Sequence, residues 1–381
     1  MQIRPRVSFV FSLVFLFLFH FEYAFTQEEK SGNQYLFNDS HFHLTNYIQE
    51  GISTQKLLEL MGNKVGRSTV FGIPLQQQWS YANSGDFAPD YYLETDAPLY
   101  YYSFTDAFIA MEYKSLTKKQ QARLDPMITG FNPSDMYGVK HIERVLRTFP
   151  GVFTGIGEFS IHKEFVSSKV SGEVASLTNP ALDSILNFSG KVGLVVIIHN
   201  DVNFPMASDE MKPVYLDQML DLLKRNSGTT IIWAHVGLGR IVRPFGRIVR
   251  PFSNDGATTP SGVRLPSQVE VLEDILQDPD LSHVYFDLSW DEVAKYIVAS
   301  EESVENTAKV INRYPDRFLF GTDVVAPPSE DRYLAVYHMY QSLWDVLTPE
   351  AKEKVTKGNY SRLFDAAQEQ VRAWEKANLN K

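Results

Sequence analysis

The sequence predicts an α/β protein folded as a single (β/α)8 barrel, the TIM barrel, and three observations support this prediction. Short apolar or β-branched segments alternate with longer amphipathic ones from residue 35 onward, which is typical of a parallel sheet whose strands are joined by helices. Eight candidate strands can be counted. About 330 residues are available to them, which suits one barrel of about 250 residues with insertions better than two domains. A doubly wound open sheet is the alternative, but no glycine-rich phosphate-binding motif supports it.

The N-terminal segment has the features of a secretory signal. Arg4 and Arg6 precede an apolar run over residues 7–21, and a polar segment follows the run. The tripeptide Ala-Phe-Thr at 24–26 is an imperfect small-x-small cleavage site. We therefore expect residues 1–26 to be a signal peptide that is removed on export. An uncleaved membrane anchor is the alternative, although the run is shorter than the roughly 20 apolar residues that span a bilayer.

We expect residues 27–381 to form one periplasmic or secreted domain. The composition of the sequence limits the class of protein to which this domain can belong. The chain is 44% hydrophobic and 22% charged, which provides for a large core. A formal net charge of −10 argues against a nucleic-acid partner. Cysteine is absent, so we expect no disulfides. No second apolar run predicts stable membrane insertion after signal removal, and a homo-oligomer is compatible with the sequence.

The predicted elements follow one another in regular alternation. The strands share short length and an apolar or β-branched composition, and they lie at 35–43, 67–74, 126–132, 151–158, 193–199, 229–235, 283–289 and 317–323. Helices are predicted between several of them, because apolar residues recur at spacings of three and four, at 136–149, 214–226 and 267–278.

Two segments interrupt the alternation. Residues 79–108 form a long, tyrosine-rich insertion, which is either a lid facing the substrate or an insertion that packs its own small cluster. The loop at 239–260 contains the heptapeptide GRIVRPF twice in tandem, at 239–245 and 246–252. Two copies of seven residues are too short for a repeat architecture, so a local duplication is the simplest interpretation.

The duplicated loop carries arginines in an acidic protein. They follow the sixth predicted strand, and they are Arg240, Arg243, Arg247 and Arg250. We take Arg240 and Arg243 as candidate substrate-binding residues, because a guanidinium there would hold a carboxylate or phosphate of a small-molecule substrate. Solvated loop arginines are the alternative.

Side chains that bind metals stand at the C-terminal ends of the predicted strands. They are His41 and His43 at the first strand, Glu158 at the fourth, His199 at the fifth, His235 at the sixth and Asp323 at the eighth. Because these strand ends meet at one rim of a barrel, we expect the side chains to lie together. Singly, His199 fits a hydrogen-bonded core histidine, and Asp323 fits a turn residue or a helix N-cap. Together they predict a catalytic site for zinc, manganese or iron with an open coordination position.

Four motifs combine along the chain: DSHFH at the first strand, a histidine closing each of the fifth and sixth strands, GTD at the eighth, and GNYSRLF at 358–364. In this combination the sequence resembles the amidohydrolase superfamily, specifically its amidohydrolase-related (amidohydrolase 2) branch of TIM-barrel metal-dependent hydrolases. The resemblance extends over nearly the whole chain after the signal segment.

The resemblance implies a role for each candidate residue. The metal ligands of the family are matched by His41, His43, His199 and Asp323. Asp323 would also act as the proton acceptor, and His235 matches a histidine that polarises the substrate or binds a second ion. Glu158 stands where other branches carry a carboxylated lysine, and it resembles a carboxylate that bridges two metals. The number of metal ions, one or two, is therefore left open.

The implied function is hydrolysis of an ester, lactone or amide bond of a small substrate by a metal-activated water. Zinc is the first expectation for the ion, with manganese and iron as alternatives. A metal-dependent decarboxylase of the same superfamily is the second hypothesis, in which the arginine loop would hold the substrate carboxylate. The third, from another class, is a catalytically inactive exported protein that binds a metal or ligand.

Overall fold

A computed structural model describes the ranges 35–46, 50–73, 75–77, 85–86, 99–101, 104–163, 176–202, 215–239, 251–252, 258, 262 and 264–379. All of these residues except Tyr35 belong to one structural unit, Leu36–Lys381. The expected signal peptide, residues 1–26, and the candidate residues Arg240 and Arg243 lie outside the described ranges. Within those ranges, no helix is both long and apolar enough to cross a membrane.

Twelve strands occur among the described residues. In chain order they are β1 (Phe37–Asp39), β2 (Phe42–His43), β3 (Val65–Val70), β4 (Leu75–Gln77), β5 (Leu99–Tyr101), β6 (Leu124–Ile128), β7 (Gly155–His162), β8 (Val195–Asn200), β9 (Ile231–Trp233), β10 (Val284–Asp287), β11 (Phe318–Leu319) and β12 (Val324–Val325). Eight of them form one sheet in the order β1, β3, β6, β7, β8, β9, β10, β11. Every neighbouring pair in this sheet is parallel, which confirms the predicted α/β barrel fold.

The sheet closes where the last strand returns beside the first. β2 pairs in parallel with β12. The backbone N–H of Ser40 donates to the carbonyl oxygen of Phe320 at 3.0 Å, and the N–H of Asp323 donates to that of His41 at 2.7 Å. These hydrogen bonds join the two ends of the sheet directly beside the first predicted histidines.

Thirteen α-helices lie in the described part of the chain. They are α1 (Thr54–Met61), α2 (Phe104–Ser115), α3 (Lys118–Gln121), α4 (Gly138–Thr148), α5 (Pro180–Val192), α6 (Leu216–Arg225), α7 (Gln268–Gln277), α8 (Asp291–Ile297), α9 (Glu301–Arg313), α10 (Glu330–Met339), α11 (Gln341–Val346), α12 (Pro349–Glu353) and α13 (Asn359–Asn378). The three predicted helices are confirmed as α4, α6 and α7. A reciprocal hydrogen-bond pair between Ser267 and Glu270 caps α7, so this Ser-x-x-Glu sequence sets the start of the helix.

The central strands are buried on both faces. No residue of β6 or β8 is exposed, as expected for strands covered by helices outside and packed side chains inside. Along β8 the side chains alternate between two apolar clusters. Val196 and Ile198 pack in the cluster that includes the helices α4–α7, whereas Val195 and Ile197 pack in a second cluster with residues of other strands and of α13.

Three predicted strand ends that carry candidate residues differ from the structure. The eighth predicted strand, at 317–323, is β11 and ends at Leu319, so Asp323 lies beyond it, directly before β12. β7 extends to His162, so Glu158 lies inside this strand rather than at its end. β9 ends at Trp233, and His235 belongs to the 3-10 turn Ala234–Gly237 that follows. Hydrophobic runs alone do not reveal the register shifts between β7 and β8 or the turn after β9.

The predicted insertion at 79–108 lies mostly outside the described residues. The part that is described contains β5, which pairs antiparallel with β4, and the beginning of α2. β4 and β5 form a two-stranded sheet of their own, separate from the eight-stranded parallel sheet.

The C-terminal helix is attached to the opposite end of the barrel from the histidines. The hydroxyl of Tyr360 in α13 donates to Oδ2 of Asp125 at 2.7 Å, and Asp125 lies near the start of β6. The Arg67 guanidinium donates to both oxygens of the same carboxylate, at 3.1 and 2.9 Å. Asp125 and Tyr360 are each 1% exposed, so this is a buried, fully paired group.

Candidate metal centre

His41 and His43 lie at the C-terminal end of the first barrel strand. Their ring centres are 5.3 Å apart, and both rings pack edge-on against Phe71. They are 0% and 3% exposed. The two-residue spacing therefore places both imidazoles on the same side of the extended backbone, as predicted.

Asp39, the last residue of β1, ties this segment to the loop that carries Asp323. Its Oδ1 accepts the backbone N–H of His41 at 3.1 Å and that of Thr322 at 2.8 Å, and its Oδ2 accepts the Thr322 hydroxyl at 2.7 Å. Burial raises the pKa of Asp39 to about 6, although these hydrogen bonds act in the opposite direction. The carboxyl group thus fixes the backbone on which two predicted site residues stand.

His41, Glu158, His235 and Asp323 form a group that we call the donor cluster. Each offers one nitrogen or oxygen atom, and these atoms all lie within 4.8 Å of one another. Nε2 of His41 is 3.5 Å from a Glu158 oxygen and 3.3 Å from an Asp323 oxygen. Nε2 of His235 is 3.3 Å from Glu158 and 3.9 Å from Asp323. Residues far apart in the sequence therefore converge on one point.

His43 and His199 lie against the donor cluster. Nε2 of His43 is 3.0 Å from Asp323 and 3.3 Å from Glu158. His199 uses both ring nitrogens, with Nδ1 2.6 Å from Glu158 and Nε2 2.8 Å from Asp201. All the predicted metal-binding side chains thus meet at one place, and their roles as ligands or catalytic groups stay predictions. The candidate arginines of the duplicated loop lie outside the described residues.

The donor cluster fits a divalent cation. Nε2 of His41 and Nε2 of His235 are buried and have no hydrogen-bond partner, although a buried nitrogen of this kind normally has one. Both face the carboxylates of Glu158 and Asp323. A cation among these atoms would satisfy the two nitrogens and neutralise the two carboxylates. Imidazole and carboxylate without thiolate are donors that suit zinc, manganese or iron.

The two carboxylates of the cluster are held in the ionised form that binds metals. Burial alone would raise the pKa of Glu158, but Lys163 and His41 hold it well below its usual value. Burial likewise opposes ionisation of Asp323, and His41 and His235 hold the pKa of Asp323 below its usual value. The charge of each carboxylate is thus balanced by neighbouring cations and imidazoles.

The two histidines of the cluster differ in their electrostatic surroundings. Burial disfavours the charged form of His41, but Asp287, Asp323 and Glu158 outweigh it and raise the pKa of His41 well above its usual value. For His235, burial dominates and lowers the pKa, although Asp323 and Glu158 act in the opposite direction. His235 is therefore neutral at pH 7 and keeps one unprotonated ring nitrogen.

Two residues of the cluster have left-handed backbone conformations. His235 has a φ of 57° and Asp323 a φ of 51°, and Val236 and Gly237 follow His235 with φ values of 49° and 76°. This conformation costs a residue other than glycine about 1–2 kcal/mol. The turn is held by hydrogen bonds from the N–H of Leu238 to His235 at 2.9 Å and from that of Val202 to Gly237 at 3.0 Å. Such conformations concentrate at functional sites.

Asp287 and Ser289 are parts of the site that the sequence analysis missed. Asp287 ends β10 and is 0% exposed. Its Oδ2 is 2.9 Å from Nδ1 of His41, and its Oδ1 accepts the backbone N–H of His235 at 2.7 Å. Asp287 was missed because the strand was predicted to run to residue 289, whereas it ends at Asp287.

Lys163 and Trp290 border the cluster and were also missed. Nζ of Lys163 is 3.9 Å from a Glu158 oxygen and 5.8 Å from the centre of the Trp290 ring. The Trp290 ring centre is 5.1 Å from that of His235. A positive charge and an aromatic surface therefore lie beside the donor cluster. Lys163 follows directly after β7, which ends four residues later than we expected.

Comparison with solved structures shows the fold. An uncharacterised TIM-barrel protein from Bordetella bronchiseptica is 14% identical, with coverage of 87% of this chain and 99% of the other and a TM-score of 0.51. An amidohydrolase from Burkholderia multivorans with bound zinc is 12% identical, with 87% and 99% coverage and a TM-score of 0.49. A 2,6-dihydroxybenzoate decarboxylase from Rhizobium is 12% identical, with the same coverage and a TM-score of 0.48.

Comparison with curated protein sequences found no match. The model of the amidohydrolase family, in contrast, matches residues 39–366. This range includes every barrel strand from Asp39 onward and all six predicted metal-site residues. The chain therefore belongs to the amidohydrolase family.

Proposed function

We propose that this chain is a metal-dependent hydrolase that cleaves an ester, lactone or amide bond of a small substrate. One observation carries the proposal: two buried histidine nitrogens without hydrogen-bond partners face two ionised carboxylates within a few ångströms. Such a group is costly to bury without a cation. Family membership and the position at the C-terminal ends of the barrel strands support a catalytic use.

The residues that would hold the cation are those of the donor cluster, with His43 and His199 beside them. Zinc is the proposed ion, and manganese and iron are the alternatives. Glu158 lies between His43 and His199, a position that suits either one ion or two. When bound, the ion would supply a water molecule whose pKa is lowered to about 7 and which is therefore nucleophilic at neutral pH.

Asp323 is the proposed proton carrier. Its carboxylate is ionised, because neighbouring histidines keep its pKa low, so it can accept a proton at Oδ1 or Oδ2 and return it to the leaving group. The left-handed backbone at Asp323 and the N–H donated to the carbonyl of His41 hold this carboxylate in place.

His235 is proposed to act through an unprotonated Nε2. The Ser289 hydroxyl donates to Asp287, so its oxygen accepts the N–H at Nδ1 of His235, with a distance of 2.7 Å. In the neutral ring the lone pair is then at Nε2. Of the two roles that the family resemblance implies for His235, this arrangement favours binding an ion over donating a hydrogen bond to the substrate.

Substrate binding is proposed for the loop arginines and the border of the cluster. Arg240 and Arg243 would hold an anionic group, and the Trp290 ring offers an apolar surface beside His235.

Export through the N-terminal signal also stays a proposal, and N-terminal sequencing of the mature protein would test it.

The first test is the metal content of purified protein. We expect about one or two equivalents of a transition metal per chain, and loss of this metal in the double variant His41→Ala/His43→Ala with an unchanged circular dichroism spectrum. A His283→Ala/His338→Ala variant removes two histidines outside the cluster and should retain its metal. Equal metal content in all three proteins would contradict the proposal.

The second test separates the reaction classes. Panels of esters, lactones, amides and carboxylic acids are incubated with the metal-loaded protein, and acid release and carbon dioxide release are followed separately. Hydrolysis that depends on His41 and His43 supports the proposal. Carbon dioxide release without hydrolysis would indicate a decarboxylase instead, and a metal-loaded protein that turns over none of the panels would indicate a binding protein.

A further inference from the structure

Asp287 contacts both histidines of the donor cluster without belonging to it. It is completely buried at the end of β10. One oxygen, Oδ2, is 2.9 Å from Nδ1 of His41. The other, Oδ1, accepts the backbone N–H of His235 at 2.7 Å and the hydroxyl of Ser289. Oδ2 therefore faces the His41 ring. Oδ1 faces the backbone of His235 and the Ser289 hydroxyl, which in turn contacts the His235 ring.

The contact with His41 sets which nitrogen of that ring faces the cluster. An ionised carboxylate only accepts hydrogen bonds, so the ring proton lies on Nδ1 of His41, toward Asp287. In the neutral ring the lone pair is then on Nε2, the atom that lies 3.3 Å from Asp323 and 3.5 Å from Glu158 and has no hydrogen-bond partner.

Asp287 also sets which nitrogen of the His235 ring faces the cluster, and it does so through Ser289. The serine hydroxyl donates to Asp287 and accepts from Nδ1 of His235 at 2.7 Å. Nε2 of His235, which is also without a hydrogen-bond partner, then faces the carboxylates of the cluster. The bond from Asp287 to the His235 backbone N–H additionally stabilises the left-handed turn that presents this ring.

We propose that Asp287 is a positioning residue that orients His41 and His235 together, so that both Nε2 lone pairs face one cation. The inference rests on the proposed metal-dependent function. A carboxylate that accepts the outer N–H of a ligating histidine fixes the ring and strengthens it as a ligand. Here one carboxylate serves two histidines, directly for His41 and through Ser289 for His235. We therefore expect Asp287 to control metal affinity while contributing no ligand atom of its own.

The test is the variant Asp287→Asn. An amide has the same shape but only one accepting atom, so it cannot accept from His41 while its oxygen serves His235 and Ser289. We expect Zn²⁺ affinity, measured by competition with a chromophoric chelator, to fall by about 10–100-fold. The visible absorption spectrum of the Co²⁺-loaded variant should differ from that of the wild-type protein, because the orientation of the ligands changes.

The matched control is Asp125→Asn, which makes the same change in a buried carboxylate at the other end of the barrel. It should lower thermal stability and leave Zn²⁺ affinity and the Co²⁺ spectrum unchanged. If Asp287→Asn does not fold, Ser289→Ala replaces it, because this variant removes the hydroxyl that connects Asp287 to Nδ1 of His235 and should also weaken Zn²⁺ binding.

Wild-type affinity and spectrum in both Asp287→Asn and Ser289→Ala would overturn the inference and leave the proposed function intact. Equal loss of affinity in Asp287→Asn and Asp125→Asn would also overturn it, because the effect would then be general destabilisation. A wild-type protein that binds neither Zn²⁺ nor Co²⁺ would overturn the proposed function as well.

Discussion

His162 is a buried histidine that titrates far from its usual range. Its ring is stacked on that of Tyr215 with 3.6 Å between the ring centres, and it is 7% exposed. Burial lowers the pKa of His162 from 6.5 to about 4, although Asp201 acts in the opposite direction. The unfolded chain therefore binds a proton more readily than the folded one between these values. The stabilising contribution of neutral His162 is complete above pH 6.5 and is lost as the pH falls toward 4.

We expect the variant His162→Phe to reduce the dependence of stability on pH. It retains an aromatic ring against Tyr215 and removes the titrating group, so the loss of unfolding free energy between pH 7 and pH 4.5 should shrink by roughly 2 kcal/mol. Urea denaturation followed by circular dichroism at both pH values measures it. His338→Phe, at an exposed histidine on α10, is the control. The same pH dependence in His162→Phe and in the wild-type protein would contradict the assignment.

At the residue scale, the sequence predicted the histidines better than the residues around them. The spacing of His41 and His43 reveals a shared face, since side chains alternate along an extended backbone. The role of Asp287 depends on contacts with residues of two other strands, and nothing in its local sequence shows them. The left-handed backbone of His235 is likewise unpredictable, because no glycine marks that position.

The approach of β11 to β1 depends on Gly321. A Cβ atom at this position would lie 2.6 Å from Cβ of His41 and 2.9 Å from its backbone nitrogen. Contacts this short with the backbone cannot be relieved by rotating a side chain. Glycine is therefore needed where the first and last strands of the barrel meet beside the donor cluster.

The variant Gly321→Ala should displace His41 and weaken the barrel closure. We expect a loss of about 1–3 kcal/mol in the free energy of unfolding, as in other overpacked sites, together with weaker Zn²⁺ binding. Gly228→Ala is the control, because a Cβ there would meet nothing within 4 Å. Urea denaturation and chelator competition measure both effects. Identical behaviour of the two variants would show that the close approach at Gly321 has no consequence.

At the element scale, apolar periodicity predicted helices well, whereas strand ends were predicted less well. The apolar spacing alone predicted α7 to within one residue at each end. The end of β7 was placed four residues early, at Glu158 instead of His162. Apolar composition does not distinguish a regular strand from one with register shifts toward its neighbour, and the shifts between β7 and β8 arise only from pairing.

At the scale of the whole barrel, the candidate site and a buried group that supports stability lie at opposite ends of the strands. The donor cluster lies at the C-terminal ends of the strands, whereas Tyr360, Asp125 and Arg67 form their buried group near the N-terminal ends. In barrels of this class, residues at the C-terminal ends of the strands generally form the active site, and residues at the N-terminal ends support stability. Substitutions at the two ends should therefore affect different properties.

The variant Tyr360→Phe should lower stability and leave Zn²⁺ affinity unchanged. It removes a hydrogen bond to a buried carboxylate, a loss of about 1.5–3 kcal/mol, at the end of the barrel away from the donor cluster. Thermal unfolding and chelator competition test the two halves of this expectation. Tyr137→Phe, at a tyrosine that is 75% exposed, is the control. A parallel loss of Zn²⁺ affinity in Tyr360→Phe would show that the two ends are coupled.

At the scale of the molecule, alternation of strands and helices was enough to predict the barrel. The manner of its closure was not predictable, because β2 and β12 are two residues each and have no sequence signature. They depend on the rest of the sheet being in place.

Closure of the sheet beside His41 and Asp323 has a consequence for the order of folding. The last strand must dock against the first before the two residues become neighbours, and contacts between distant parts of a chain are slow to form. A nascent chain that still lacks β11 and β12 also lacks Asp323, which lies between these two strands, so its donor cluster is incomplete. The proposed binding of a metal ion would thus become possible only when synthesis of the barrel is nearly complete.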